Sequence, residues 1–202
     1  MKLIISVMAN LTVILAATAV FAGTVNLPQT GQTACYDSSG NVITCTGTGQ
    51  DGEIGAGGAW PTSRFTVGTG AEADCVTDNL TGLMWAKNGN LPGSERTWTE
   101  ALDYVMSINS NSGAGLCGHY DWRLPNINEM ESLVNAQEAN SATWLNGQGF
   151  VDVKPYIYWS STSYNRYTNE AWLVNMYYGN TDMIDKAIPA YVWMVRSGEQ
   201  AL

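Results

Sequence analysis

The sequence predicts an α+β fold, with two helices packed on antiparallel strands joined by long loops. Three observations carry that reading. Two segments in the middle of the chain, "TWTEALDYVMSINS" and "NINEMESLVNAQ", combine helical spacing with capping residues. Segments rich in Val, Trp and Tyr lie on either side: "VTDNLTGLMWAK" before them, "YIYWSSTS", "AWLVNMYY" and "YVWMVR" after them. The order is therefore a strand hairpin, two helices and then an antiparallel set of strands.

The elements follow from the N-terminus. Met1-Lys2 is a short basic start, and Leu3 to Ala22 is an apolar run interrupted only by Ser6, Asn10 and two threonines. Val20 and Ala22 are small residues placed for a cut after Ala22, so residues 1–22 read as a signal peptide rather than as an anchor. Asn10 inside the run and the absence of a cysteine just after it argue against a membrane or lipid anchor. No later run is apolar enough to cross a bilayer, so no membrane insertion is expected after cleavage. The expected location is secreted or extracytoplasmic, in the periplasm or at the cell surface.

Residues 23–60 are rich in Gly, Thr and Gln and nearly free of large apolar side chains. Such a segment buries too little surface to fold as a domain. It reads as a spacer with one stapled hairpin, and the compact domain is expected over 61–202. The cysteines are Cys35, Cys45, Cys75 and Cys117, an even number in a chain expected to be exported. Three pairings are possible. "CYDSSGNVITC" reads as strand, turn, strand, which favours Cys35–Cys45 and leaves Cys75–Cys117 by elimination. Zinc is disfavoured, because no Cys-x-x-Cys pair exists and His119 is the one histidine.

The net charge of −9 would repel a phosphate backbone, which argues against nucleic acid as a partner. Charged residues make up only 13 % of the chain, beside 21 glycines and 8 tryptophans, the balance of a loop-rich secreted domain anchored by aromatics.

Within the compact domain, Val76 to Lys87 reads as strand, Asp-Asn turn, strand. Thr97 with Glu100 forms a capping box ahead of Trp98, Ala101, Leu102, Val105 and Ile108 at helical spacing. Asn126 and Glu129 have the same relation ahead of Ile127, Met130, Leu133 and Val134. "YDWRLPN" joins the helices, and Asp121 and Arg123 in it are placed to pair in a network that fixes the loop. The hydroxyls of "WSSTS" (Trp159 to Ser163) read as partners for backbone. Trp159, Trp172 and Trp193 lie inside patterned strands and are expected in the core. Tyr164, Tyr167, Tyr177 and Tyr178 lie at strand ends or in loops, where an amphipathic ring suits recognition.

Catalysis finds little support. No G-x-S-x-G elbow occurs, no cysteine is left over as a nucleophile, and Glu129 and Glu131 fall on different faces of their helix. The expectation is a protein that is not an enzyme and holds no metal or other cofactor.

"CVTDNLTGLMWAKN", "TWTEALDYV", "LCGHYDWRLPNINEMESLVN", "YWSSTS", "AWLVNM" and "YVWMVRSG" together resemble the bacterial domain named for the C-terminal domain of the Legionella collagen-like protein. The resemblance runs from about Arg64 to Gly198. It implies a C-type-lectin-like fold with a ligand surface in the C-terminal half. It does not imply calcium-dependent sugar binding, since the Glu-Pro-Asn or Gln-Pro-Asp triplet of calcium lectins is absent. Nor does it imply the chemistry of the related formylglycine-generating enzymes, whose reactive cysteine pair has no counterpart here.

On this reading Trp172, Val174, Val192, Trp193 and Val195 form a rigid frame. "YNRYTN" and "YYGNTDMIDKAIP", which lack an apolar period, are loops that present one binding face. The expected ligand contacts are Tyr164, Asn165, Arg166, Tyr167, Asn169, Tyr177, Tyr178, Asn180, Asp182 and Asp185. The expected partner is an extracellular glycan or a surface protein. Two alternatives stay open: a structural envelope or matrix component, and a variable receptor whose loops a retroelement diversifies at template adenines, as in some relatives of the superfamily.

Overall fold

The computed structural model describes residues 27–110 and 115–198, and the expected signal peptide lies outside them. Within this range the chain is a mixed α+β structure with three antiparallel sheets. The first large sheet grows from β4 (Cys75–Asp78) and β5 (Leu83–Ala86), the hairpin expected from the sequence. Val76 and Trp85 face each other across it, both fully buried. β3 (Phe65–Val67) adds on one side and the last strand, β9 (Val195–Ser197), on the other, in the order β3-β4-β5-β9. The second large sheet has the order β6-β7-β8, from Ile157–Ser163, Glu170–Asn175 and Asn180–Asp185.

Aromatic rings join the elements. Trp193 is fully buried, with Trp85, Phe150 and Tyr158 at centroid distances of 5.6, 5.1 and 5.6 Å, and its indole N–H donates to the Ala86 carbonyl. Trp159 is equally buried, its N–H donating to Arg96 O. Both belong to the core, as expected.

Both capping boxes form. Glu100 accepts from the Thr97 amide at 2.9 Å at the start of α2 (Trp98–Ser110), and Asn126 and Glu129 cap α3 (Ile127–Glu131) reciprocally. The second helix is shorter than its spacing suggests. Leu133 and Val134 close tight i−3 turns, and the Ala136 amide leaves the helical path to donate to Thr30 O. A further helix, α4 (Ser141–Gly147), follows behind an Asn140 cap. "YVWMVR" is a strand only from Val195. Tyr191 pairs with the Ile157 and Trp159 backbone and Val195 with Arg123, so Val192 to Met194 form a buried crossing between the sheets.

The segment read as a spacer docks on the domain. The pair β1 (Cys35–Tyr36) and β2 (Val42–Ile43) is stapled by Cys35–Cys45, and Cys75–Cys117 is the second disulfide. The Gln137 side-chain carbonyl accepts from the Thr33 and Ala34 amides at 2.8 and 2.9 Å. Trp60 stacks on Trp144 of α4 at 5.6 Å. Polar side chains and backbone make most of this contact, which is why a search for apolar residues misses it. The hairpin module is held by its own carboxylates. Glu53, on the short helix α1 (Asp51–Ile54), accepts from the Gly47 and Gly49 amides, and Asp37 from Asn41 and Ser39. Gly47 and Gly49 need positive φ (79° and 67°) to aim their amides at it.

Arg64 and Asp78 form a buried pair at 3.1 Å, with side chains 4 % and 0 % exposed. Asp78→Asn leaves a buried guanidinium without its counter-ion, and chemical denaturation should show a loss of roughly 3–5 kcal/mol. A loss below about 1 kcal/mol, the scale of an exposed pair, would mean the pair does not hold the fold.

The module should respond to acid. The Gly47 and Gly49 amides hold the Glu53 carboxyl below its usual range, and the Asn41 side chain does the same for Asp37. A pKa lowered by folding gives stability that is present above the unfolded value, about 4, and lost as pH falls through the folded value. Pepsin digestion at falling pH should therefore cut first between residues 36 and 58. First cuts within the two large sheets would overturn this.

Candidate functional site

The register of the three-stranded sheet decides which expected contacts can act together. Glu170 pairs with Asp185 at one end of β7 and Asn175 with Asn180 at the other. The β6–β7 turn, 164–169, therefore lies at one end of the sheet and the β7–β8 turn, 176–179, at the opposite end. The six residues of β7 separate them by about 17 Å. The ten expected residues do not form one face but two groups.

The first group is aromatic. Tyr164 packs on Tyr167 and on Trp172, with centroids at 6.0 and 5.3 Å. Arg166 is exposed, its guanidinium 5.6 Å from the Tyr167 ring, and no carboxylate reaches ion-pair distance of it among the described residues. Asn165 is exposed beside them. Trp172 is a correction. It was expected in the core, but it is half-buried and opposes Met183 across the sheet, whereas its neighbours Ala171 and Leu173 are buried. Alternation along β7 turns it to the other face. Lys186 braces the turn through Ser163 Oγ and the Thr168 carbonyl at 2.7 and 2.9 Å, with its ammonium 4.2 Å from the Trp98 ring.

The second group is Tyr177 and Tyr178, 45 % and 75 % exposed, edge to face at 4.7 Å. Next to them Gly179, at φ 71°, lies so close to Val134 that a Cβ would come within 2.8 Å of it. Gly179 also ends a groove of about 600 Å³ between α3 with its following turn and the docked N-terminal segment.

"YYGNTDMIDKAIP" is the main departure from the sequence reading. Asn180–Asp185 is not a loop but an edge strand paired with β7 along its whole length. Its missing period reflects an outer edge on which polar and half-buried residues alternate, too weak a signal among turn residues. Several of its side chains serve its own backbone. Lys186 N donates to Asn169 O, so the even-numbered residues of β8 bond to β7 and Thr181, Met183 and Asp185 face the free edge. Asp182 Oδ1 accepts from the Met183 amide at 2.8 Å, and Asn180 Nδ2 donates to Thr181 O at 3.4 Å. Asp185 accepts from the Ala187 amide and from Asn169 Nδ2, which together hold its carboxyl below the usual range. Asn169, Asn180, Asp182 and Asp185 are thus already engaged in turn and edge structure.

Other motifs resolve plainly. Asp121 and Arg123 do not pair with each other. Asp121 binds Arg196 at 2.7 Å, and Arg123 binds Glu129 in a fork at 2.6 and 2.7 Å. Burial pushes the Glu129 carboxyl up, but Arg123 and the Asn126 amide outweigh it, and the net displacement is downward. Ser160 Oγ donates to Trp172 O, Ser161 Oγ to Pro125 O, and Thr162 Oγ accepts from the Ile127 amide, so these hydroxyls serve backbone. His119 lies 3.6 Å from Glu72. Burial raises the Tyr158 phenol, whose oxygen accepts from the Lys154 amide.

These features define a disulfide-stapled α+β domain with a half-open three-stranded sheet flanked by aromatic turns. The chain belongs to the Lcl C-terminal domain family, which matches it over residues 74–196, from the start of β4 into β9. The docked N-terminal segment precedes the match. No curated protein matches the sequence. No helix among the described residues is long and apolar enough to cross a membrane.

The edge of β8 yields a direct test. Asp182→Ala frees the Met183 amide on the open edge and should produce concentration-dependent self-association in sedimentation velocity, while Asp182→Lys, which guards the edge by charge, should not. Identical sedimentation of the Ala variant and the parent chain would show that the cap does not protect the edge.

Proposed function

We propose that the protein is an extracytoplasmic, non-catalytic recognition module with a C-type-lectin-like fold, which binds a glycan or a surface protein. The observation that carries this reading is the group Tyr164, Tyr167 and Trp172 with Arg166 exposed beside it and unpaired among the described residues. Large rings give contact area at small entropic cost, and an arginine without an internal partner is available to a ligand. Aromatic residues and Arg are enriched at binding hot spots, whereas a surface with only a structural role has no need of them.

Two further features support the reading. The two disulfides fit an oxidising compartment, as the signal-like residues 1–22 suggest. Among the described residues, every carboxylate with a displaced pKa is displaced downward, by hydrogen bonds or a neighbouring cation. A general acid needs the opposite displacement.

The test begins with the purified chain on arrays of glycans and bacterial and host surface proteins. For any ligand found, Arg166→Ala, Tyr167→Ala and Trp172→Ala should each weaken binding by roughly 1–3 kcal/mol, with little change in melting temperature for the exposed Arg166 and Tyr167. Tyr177→Ala lies at the far end of the sheet and should leave that ligand unaffected. Binding that depends on Tyr177 and ignores Arg166 and Trp172 would place recognition elsewhere.

A further inference from the structure

The groove between the N-terminal segment and α3 has an electrostatic character of its own. Its apolar walls include Leu27, Pro28 and Val134, and α3 and its end present Asn128, Glu131 and Ser132 to it. Among the described residues, Glu131 is the one ionisable side chain in the lining, and no lysine or arginine lines the groove. Neither Glu131 nor the Asn128 side chain has a hydrogen-bond or ion-pair partner among the described residues. Six basic groups are engaged elsewhere, Arg64, Arg123, Lys154 and Arg196 with carboxylates and Lys87 and Lys186 with carbonyls, and the unpaired Arg166 lies on the β6–β7 turn, outside the groove. Ser132 Oγ donates to Glu129 O, which leaves its lone pairs to accept.

An unpaired carboxylate, two further acceptors and an aliphatic wall, on a protein of net charge −9, complement one kind of group. That group is a cation carried on an apolar stem. We propose that the groove binds a lysine or arginine side chain from an exposed basic segment of a partner protein. The stem packs along Leu27, Pro28 and Val134, and the ammonium or guanidinium donates to Glu131, Asn128 Oδ1 and Ser132 Oγ. Polyanionic ligands are repelled from this groove. The site is separate from the aromatic group of the β6–β7 end and stands or falls independently of it.

The probe is a fluorescent hexapeptide alternating Arg or Lys with Ala, titrated into the full chain. Controls are the same peptide with citrulline or acetyl-lysine, an acidic hexapeptide and a neutral oligosaccharide. The basic peptides should bind, shift the amide resonances of Asn128 to Ser132 and Gly179, and weaken with added salt. Glu131→Gln should weaken them about tenfold or more, the scale of a charged hydrogen bond. Asn128→Ala should weaken them less. Neither variant should change the melting temperature, because neither side chain has an internal partner. Arg166→Ala should leave peptide affinity intact and serves to separate the two sites. No peptide binding, equal binding to Glu131→Gln, resonance shifts confined to other surfaces, or occupation of the groove by the neutral saccharide alone would each overturn the proposal.

Discussion

The buried pair of Arg64 and Asp78 is the constraint to which the rest of the domain is fitted. Asp78 closes β4, and its carboxylate accepts from the Leu80 amide and the Thr81 hydroxyl as well as from Arg64, so the same group shapes the β4–β5 turn. Arg64 also donates to the Ser132 carbonyl just beyond α3. Its guanidinium lies 4.3 Å from the Trp60 ring, 4.7 Å from Phe65 and 5.9 Å from Trp144. One ion therefore touches the first sheet, the end of α3, α4 and the close of the N-terminal segment. Removing two charges from water is costly, and the cost is offset only when nearly every polar atom is satisfied. Here Nη1 alone lacks a hydrogen bond, and aromatic faces surround the cation.

Much of this architecture could be read from the sequence wherever a local rule was strong. Thr97/Glu100 and Asn126/Glu129 announced two helix starts because a capping box is a short-range arrangement. The turn inside "CYDSSGNVITC" suggested its disulfide for the same reason. What escaped detection depended on contacts distant in sequence. α4 has only seven residues, of which Ser141, Ala142 and Leu145 are buried, too few to establish a helical period. α3 ends where it does because Thr30, about a hundred positions earlier, takes the Ala136 amide. Val192 to Met194 look like a strand because they are buried on all sides, although they only cross between sheets.

The candidate site was legible by residue type and not by arrangement. Tyrosines and an arginine near strand ends stand out in the sequence, and Arg166 and Tyr167 lie exposed together. Whether two turns share one end of a sheet is a property of strand count. With one strand between them, two consecutive hairpin turns must lie at opposite ends, and the edge strand β8 did not show in the sequence. Its recognition would have split the site and placed Trp172 on the other side of β7 from Leu173.

The docking of the N-terminal segment has a mechanical side. A chain tethered through its N-terminus takes load first at Leu27 and then at Gln29, Thr30, Thr33 and Ala34, whose bonds to Gly58, Trp60, Ala136 and Gln137 lie one after another along the segment. They open singly, like a zipper rather than a lap joint. The Cys35–Cys45 loop limits how far the chain then pays out, and the aromatic cage around Arg64 is the next element in the line of force. Tension on the tether would dismantle one wall of the groove while the two large sheets stayed folded.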